Sequence, residues 1–279
     1  MSDWMQPRQP MFTHLFLEDM MQANAEKGKK AQAFNTPFRY SDAGKCERQM
    51  AYSFLGLEGE PFDGPSTLVT ELGTMIHEWI QEAILRRYPE ATFEGKSQVV
   101  TSSGHFDGIV PDVPGLGKVL LEFKSMGGTA YSKSIGAGQR GMNAPGGPRY
   151  SAILQSALNA QANGCDTIII GHIALEAISR QKASRLELPE WNRCISEWII
   201  PKEVWEPLAD AEIARQLTIL DELRMDRLPP RLAINDSGAE EHLNPETDKS
   251  WQCVYCSYRE TCITDGPDTP VNVHIKEDK

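Results

Sequence analysis

Between Gly104 and Lys124 the chain reads Gly-His-Phe-Asp-Gly-Ile-Val-Pro-Asp-Val-Pro-Gly-Leu-Gly-Lys-Val-Leu-Leu-Glu-Phe-Lys, and this stretch limits the folds open to it more than any other. Two short runs, Phe106 to Pro111 and Lys118 to Lys124, flank a Pro/Gly-rich turn at Val113 to Gly117, the pattern of a β-hairpin. A turn centred on Pro114 and Gly115 pairs residues whose numbers sum to about 229, so Asp107 is expected opposite Glu122. Like charges in register across two strands repel, and a divalent cation between them is the simplest remedy. The period of two along a strand puts Glu122 and Lys124 on one face and Leu121 and Phe123 on the other. An Asp, a Glu and a Lys on one face suit metal-assisted hydrolysis: carboxylates hold the ion, while the lysine orients or activates a water and offsets developing negative charge. Asp112 falls at the turn and faces position 117 instead.

Helical periodicity surrounds this hairpin. Met11 to about Ala33 carries Phe12, Leu15, Phe16 and Met20 on one stripe and a basic end at Lys27, Lys29 and Lys30, a packing or partner helix. A further helix is expected to start at Ser41 or Asp42. From Leu72 to about Arg86 an apolar face is read from Leu72, Met75, Ile76, Trp79, Ala83 and Ile84. His77 lies at its edge, and Gly73, one turn earlier, leaves room for close approach of a strand or substrate. Glu78 points about 100° away from His77 and is read as a surface residue. Gly95-Lys96-Ser97 is not a phosphate loop, because Glu90 stands where that motif needs its first glycine.

After the hairpin, Ser125 to Pro148 is rich in Gly and Ser and long for a connection without a regular pattern. It is read either as an inert loop tip or as a flexible cationic flap that holds a single strand, with Lys133 and Arg140, and Arg149 just beyond it, available to phosphates and Tyr131 or Tyr150 to a base. A helix from Pro148 to about Asn163 follows, in which Gln155 interrupts an apolar run and needs a polar partner. Thr167 to Leu175 reads as a central buried strand, Cys194 to Ile200 as another, and Pro201 to about Asp226 as a long helix with Pro207 in its first turns. His172 is taken as structural.

The second strong signal is Cys253-Val254-Tyr255-Cys256, with Cys262 six positions on. Three thiolates leave one metal ligand missing, and Cys46 is the best candidate for it. The six cysteines are not expected to form a disulfide framework. No apolar run approaches a bilayer span, and the start lacks the basic flank and apolar centre of an export signal, so a cytoplasmic setting with reduced thiols and no membrane partner is expected. A net charge of −11 argues against coating nucleic acid broadly. It leaves a local groove open, since Lys118, Lys124, Lys133, Arg140 and Arg149 outnumber Glu122 around the hairpin.

Asp107 followed by Glu122-Phe123-Lys124 resembles the signature of the PD-(D/E)xK nucleases, and the upstream Gly73-x-x-x-His77-Glu78 helix resembles the first motif of their RecB branch. Gln155 matches the first position of that branch's Gln-x-x-x-Tyr motif, although Asn159 stands where the Tyr belongs. Cys46 within Gly44-Lys45-Cys46-Glu47-Arg48, together with Cys253, Cys256 and Cys262, resembles the pattern of the iron–sulphur exonucleases, of the CRISPR-associated "Cas four" type and the AddB-like type. The resemblance covers about Ser41 to Cys262.

It implies an α/β fold with a mixed central sheet and flanking helices, restriction-endonuclease-like at its core. Residues 41–262 form the nuclease domain, preceded by a helical extension (1–40) and followed by a disordered tail (263–279). His77, Asp107 and Glu122 would hold Mg2+ or Mn2+, with a backbone carbonyl near Phe123. Lys124 would position the water, and Gln155 would support the site. The four cysteines would hold a [4Fe-4S] cluster, although four thiolates suit zinc equally by geometry. The implied activity is exonucleolytic hydrolysis of DNA, on single strands or free ends, in recombination, repair or replication alongside a recombination or replication partner. An endonuclease of the same chemistry and a non-hydrolytic DNA-end-binding subunit are the alternatives.

Overall fold

The computed structural model describes residues 22, 36–60, 64–136, 146–247, 250–266 and 269–271. Arg140 and most of the expected Met11 to Ala33 helix lie outside them. In chain order the elements are β1 (Phe38–Arg39), a 3-10 turn (Tyr40–Asp42), α1 (Glu47–Phe54), α2 (Gly64–Leu85), β2 (Thr92–Phe93), β3 (Lys96–Gln98), β4 (Ser102–His105), β5 (Gly108–Val113) and β6 (Gly117–Met126). There follow α3 (Gly128–Ser134), α4 (Tyr150–Asn163), β7 (Thr167–Ala174), α5 (Arg180–Arg185), β8 (Ile195–Pro201), α6 (Lys202–Arg224), β9 (Leu232–Ile234), β10 (Glu240–His242), α7 (Trp251–Val254) and α8 (Arg259–Asp265).

The central sheet has five strands in the order β2-β5-β6-β7-β8. It is mixed: β6 and β7 run parallel, with α4 in the connection between them, and the other pairings are antiparallel. In the hairpin Gly108 pairs with Leu121, Ile109 with Leu120 and Val110 with Val119, the register read from the turn; a bulge then shifts the pairing so that Val113 faces Gly117. The bulge absorbs Pro111, which has no N–H to give to a ladder.

Alternation along β6 sorts its side chains. Leu120 faces a core shared with Leu154, Ala157 and Leu158 of α4, Ile168 and Ile170 of β7, and Trp205 and Ala209 of α6. Val119, Leu121 and Phe123 face the opposite layer, packed by Ile80 and Ile84 of α2. The packing stripe of α2 is rotated from the one read in the sequence: Leu72, Met75 and Trp79 are exposed, while Ile80 and Ile84 reach the sheet. Gly73 does allow the close approach expected of it, since a Cβ there would stand 3.0 Å from Ser125 Oγ. Inside the stretch read as an unpatterned flap, α3 forms and buries Tyr131 against Ile178 and Ala183. Tyr131 donates its hydroxyl to the Asn192 carbonyl at 3.0 Å and so is not free to stack on a base.

The two ends of the domain meet. Cys46 N–H donates to Gln252 Oε1 at 3.1 Å, and the Gly44 N–H and the Lys45 carbonyl are held by Glu212 and Arg215 of α6. The boundary drawn at residue 262 falls inside α8. Val271 is buried among Phe38, Ile219 and Leu223, so this part of the expected tail packs on the domain. Phe38 and Arg39, in the expected extension, pair with β4.

Candidate metal centre

Asp107 precedes β5 where the hairpin ladder opens. Its Oδ2 accepts the Phe123 N–H at 2.7 Å, taking the place a strand carbonyl would fill, and this aims Oδ1 outward. Oδ1 lies 3.8 Å from Nδ1 of His77, which α2 brings across with its ring edge-on to Phe123. Glu94 closes the group: one ligand atom from each of His77, Glu94 and Asp107 lies within 4.8 Å of the others. Among the described residues this is the set of three such donors gathered so closely.

Glu94 was missed in the sequence because nothing in its spacing ties it to the hairpin. Its backbone carries a signal that only structure displays, a φ of 52° in the left-handed region, where non-glycine residues cluster at functional sites. Gln81 of α2 donates to its Oε1 at 3.0 Å.

Glu122 sits beside this group and outside it. Its carboxylate is about 1% exposed, with Oε1 2.6 Å from the Lys124 ammonium, and Oε2 is buried without a hydrogen-bond partner. The expected trio of His77, Asp107 and Glu122 is therefore not gathered within 4.8 Å. The buried carboxylate is offset by the Lys124 charge. Lys124 also donates to Gln155 Oε1 at 3.3 Å, the polar partner that glutamine needed. Asn159, where the resembled motif has Tyr, accepts from Ser97 Oγ at 3.2 Å and fastens α4 to β3 instead.

The protonation equilibria follow from this crowding. Burial pushes the Glu122 carboxyl up to about 7, against the pull of Lys124 and with Asp107 adding to the rise. Asp107 is raised by burial too, opposed by Lys124 and the Phe123 N–H. For Lys124 burial acts downward, but Glu122 and Asp107 outweigh it and hold the ammonium charged. His77 is lowered by burial and by Lys124, so its imidazole is neutral and free to ligate. An N,O,O donor set next to an unmatched buried carboxylate oxygen fits a hard or borderline divalent ion.

Beyond Lys124 a groove opens, lined by Lys45, Arg149, Gln155, His172 and Trp251. Arg149 is exposed and lies over the Trp251 ring, 5.4 Å from its centroid. Lys133 is exposed on α3 and does not line the groove; Tyr150 packs against the core beside Gly238.

Away from the sheet, Cys46, Cys253, Cys256 and Cys262 line one cavity, as their spacing suggested. The sulphurs form no set within 4.8 Å of one another. Burial lifts the Cys46 and Cys256 thiols to about 11, and the neighbouring cysteines add to the rise. Cys165 and Cys194 stand apart from them.

No protein-family model matches this chain, and no curated protein matches it in sequence. Its fold does have solved counterparts. The crystal structure of SSO0001 aligns over 91% of this chain and 98% of its own, with a TM-score of 0.53 and 15% identity. A phage related exonuclease from Haemophilus somnus 129PT aligns over 69% of this chain and 96% of its own, with a TM-score of 0.42 and 14% identity. At such identities the likeness is one of architecture, and the case for chemistry rests on the side chains. Among the described residues no helix is long and apolar enough to cross a membrane.

Proposed function

We propose that the chain is a metal-dependent nuclease that hydrolyses phosphodiester bonds in DNA. The observation that carries this reading is the convergence of His77, Glu94 and Asp107 beside a buried Glu122, paired to the partly exposed Lys124 and with its Oε2 unmatched. His77, Glu94 and Asp107 would hold Mg2+ or Mn2+, and Glu122 would join them by giving up its contact with Lys124. A divalent ion there supplies Lewis-acid polarisation of a phosphoryl oxygen and lowers the pKa of a bound water. The protein's own contribution is placement. Lys124, steadied by Gln155, can donate to the attacking water and offset charge on the phosphoryl oxygens, while the Phe123 N–H keeps Asp107 from rotating away.

The finer reading follows the family resemblance: an exonuclease favouring single-stranded ends, working in recombination, repair or replication beside a partner protein, with a [4Fe-4S] cluster on the four cysteines. Four thiolates on one zinc ion, tetrahedral at about 2.3 Å, would stand roughly 3.8 Å apart. The choice of the larger cluster over zinc follows the resembled cysteine pattern. Purification without oxygen, an absorbance spectrum, and incubation with end-labelled linear and circular single-stranded DNA in Mg2+ or Mn2+ test these points together. The reading expects a coloured protein that degrades linear DNA and spares circles. Cleaved circles would make it an endonuclease, and DNA left intact with every metal would remove the catalytic claim.

A further inference from the structure

The groove beyond Lys124 has a cavity volume of about 260 Å³, close to the lower end of small-ligand sites, which start at roughly 300 Å³. Three features of its walls are not explained by packing. Arg149 has no carboxylate partner among the described residues; its ion-pairing capacity is unspent while Trp251 holds its guanidinium plane in place. The Trp251 indole, at the first turn of α7, lines the groove together with Arg149 and Lys45. On the floor His172 is about 2% exposed, its ring tilted against Trp198 with centroids 4.5 Å apart and its backbone paired with Lys124 across the β6–β7 ladder, yet its Nδ1 is buried without a hydrogen-bond partner. A buried polar atom left unmatched costs on the order of 1–3 kcal/mol, so such atoms call for an explanation at the site where they occur.

We propose that this groove is a nucleotide subsite for an unpaired DNA strand, seating the residue next to the bond held at the carboxylates, with Arg149 on its phosphate and Trp251 against its base. Lys45, partly neutralised by Asp42 at 3.0 Å, flanks the phosphate position. His172, whose imidazole burial holds neutral, offers its spare nitrogen to the sugar–phosphate side without adding charge. Stacking on an aromatic ring needs an exposed base face, which a duplex does not offer, so the subsite selects unpaired strands. The proposal rests on the nuclease reading for its substrate but engages residues that hold no metal.

The test measures binding of a fluorescein-labelled oligodeoxythymidylate to the full chain in EDTA, by anisotropy, and separately follows cleavage in Mn2+. Trp251→Ala and Arg149→Ala should each raise Kd by about tenfold or more, the size of one lost stacking or phosphate contact. Trp251→Phe should stay within about threefold of wild type, because a ring is retained. It also guards against misfolding, since Phe keeps the bulk next to the cysteine cavity. Affinity for duplex DNA should not change in any of the three. Unchanged single-strand affinity in both alanine variants, with wild-type cleavage intact, overturns the subsite and leaves the nuclease reading standing. Affinity that depends on Trp251 in a protein inert with every metal keeps the subsite and overturns the nuclease.

Discussion

Glu122 and Asp107 face the same opening from opposite strands, and each has a different partner: Lys124 for one, the Phe123 N–H for the other. Glu122→Gln removes a charge that a metal would need while keeping the side-chain shape, so cleavage should drop by at least about 100-fold with circular dichroism unchanged. Lys124→Ala should do the same. Turnover within threefold of wild type in either variant would count against the site. The ladder that ends just before them, with Gly108 against Leu121, was legible from the turn alone, because a period of two and one Pro/Gly turn determine a register. Glu94 was not, since its approach depends on how the segment before β3 crosses β5. His172 carries a second residue-scale prediction. Burial lowers its pKa from 6.5 to about 4, so the fold favours the neutral ring. The unfolded chain then binds a proton that the folded chain refuses, and the contribution to stability is whole above pH 6.5 and lost as pH falls through about 4. The loss is on the order of 3 kcal/mol. Urea unfolding of wild type and His172→Gln across that window should converge as pH falls; parallel curves would show that the histidine does not titrate on unfolding.

The elements that position the site are β6, with both faces covered, and the short segment joining β2 to β3. Leu120 is fully buried between α4 and β7, and Leu120→Ala should cost about 2–5 kcal/mol by denaturant midpoint. Gly95 tests the metal side of the sheet. A Cβ there would collide with the Phe106 ring, and the Gly95 carbonyl accepts the Phe106 N–H at 3.0 Å. Gly95→Ala should therefore cost about 1–3 kcal/mol and weaken Mn2+ binding, because it pushes apart the chain neighbours of Glu94 and Asp107. Mn2+ affinity equal to wild type in that variant would show that the two ligands are placed independently. Element type was readable for α2, β7, β8 and α6, where long periodic runs left little choice. The buried side of α2 was not: its apolar residues lie on two adjacent stripes, and only the sheet decides which one it takes. Similarly, α3 hides in a Gly/Ser-rich stretch whose helical turn is paid for by one buried tyrosine rather than by periodicity.

At the scale of the molecule, Cys46 and the C-terminal cysteines line one cavity, and the C-terminal three followed from their spacing. The fastening beneath it did not. Glu47, Glu212 and Arg215 are far apart in sequence, and their buried cluster, with Arg215 2.8 Å from Glu212 and 3.6 Å from Glu47, becomes visible only when α1 meets α6. Cys253→Ala should lose visible absorbance and unfold at lower denaturant, since metal binding at such a site is coupled to folding; a variant as stable and as coloured as wild type would detach the cysteines from any shared centre. The group at His77, Glu94 and Asp107 and the cysteine cavity lie at different places in the fold, so each can be tested with the other intact. The most direct measurement is Mn2+ binding followed by electron paramagnetic resonance alongside cleavage of an end-labelled single strand, in wild type and in Asp107→Asn. Bound Mn2+ and cleavage should appear together in the wild-type protein and disappear together in the variant. Cleavage that persists in Asp107→Asn, or Mn2+ that stays bound as tightly without that carboxylate, would contradict the account.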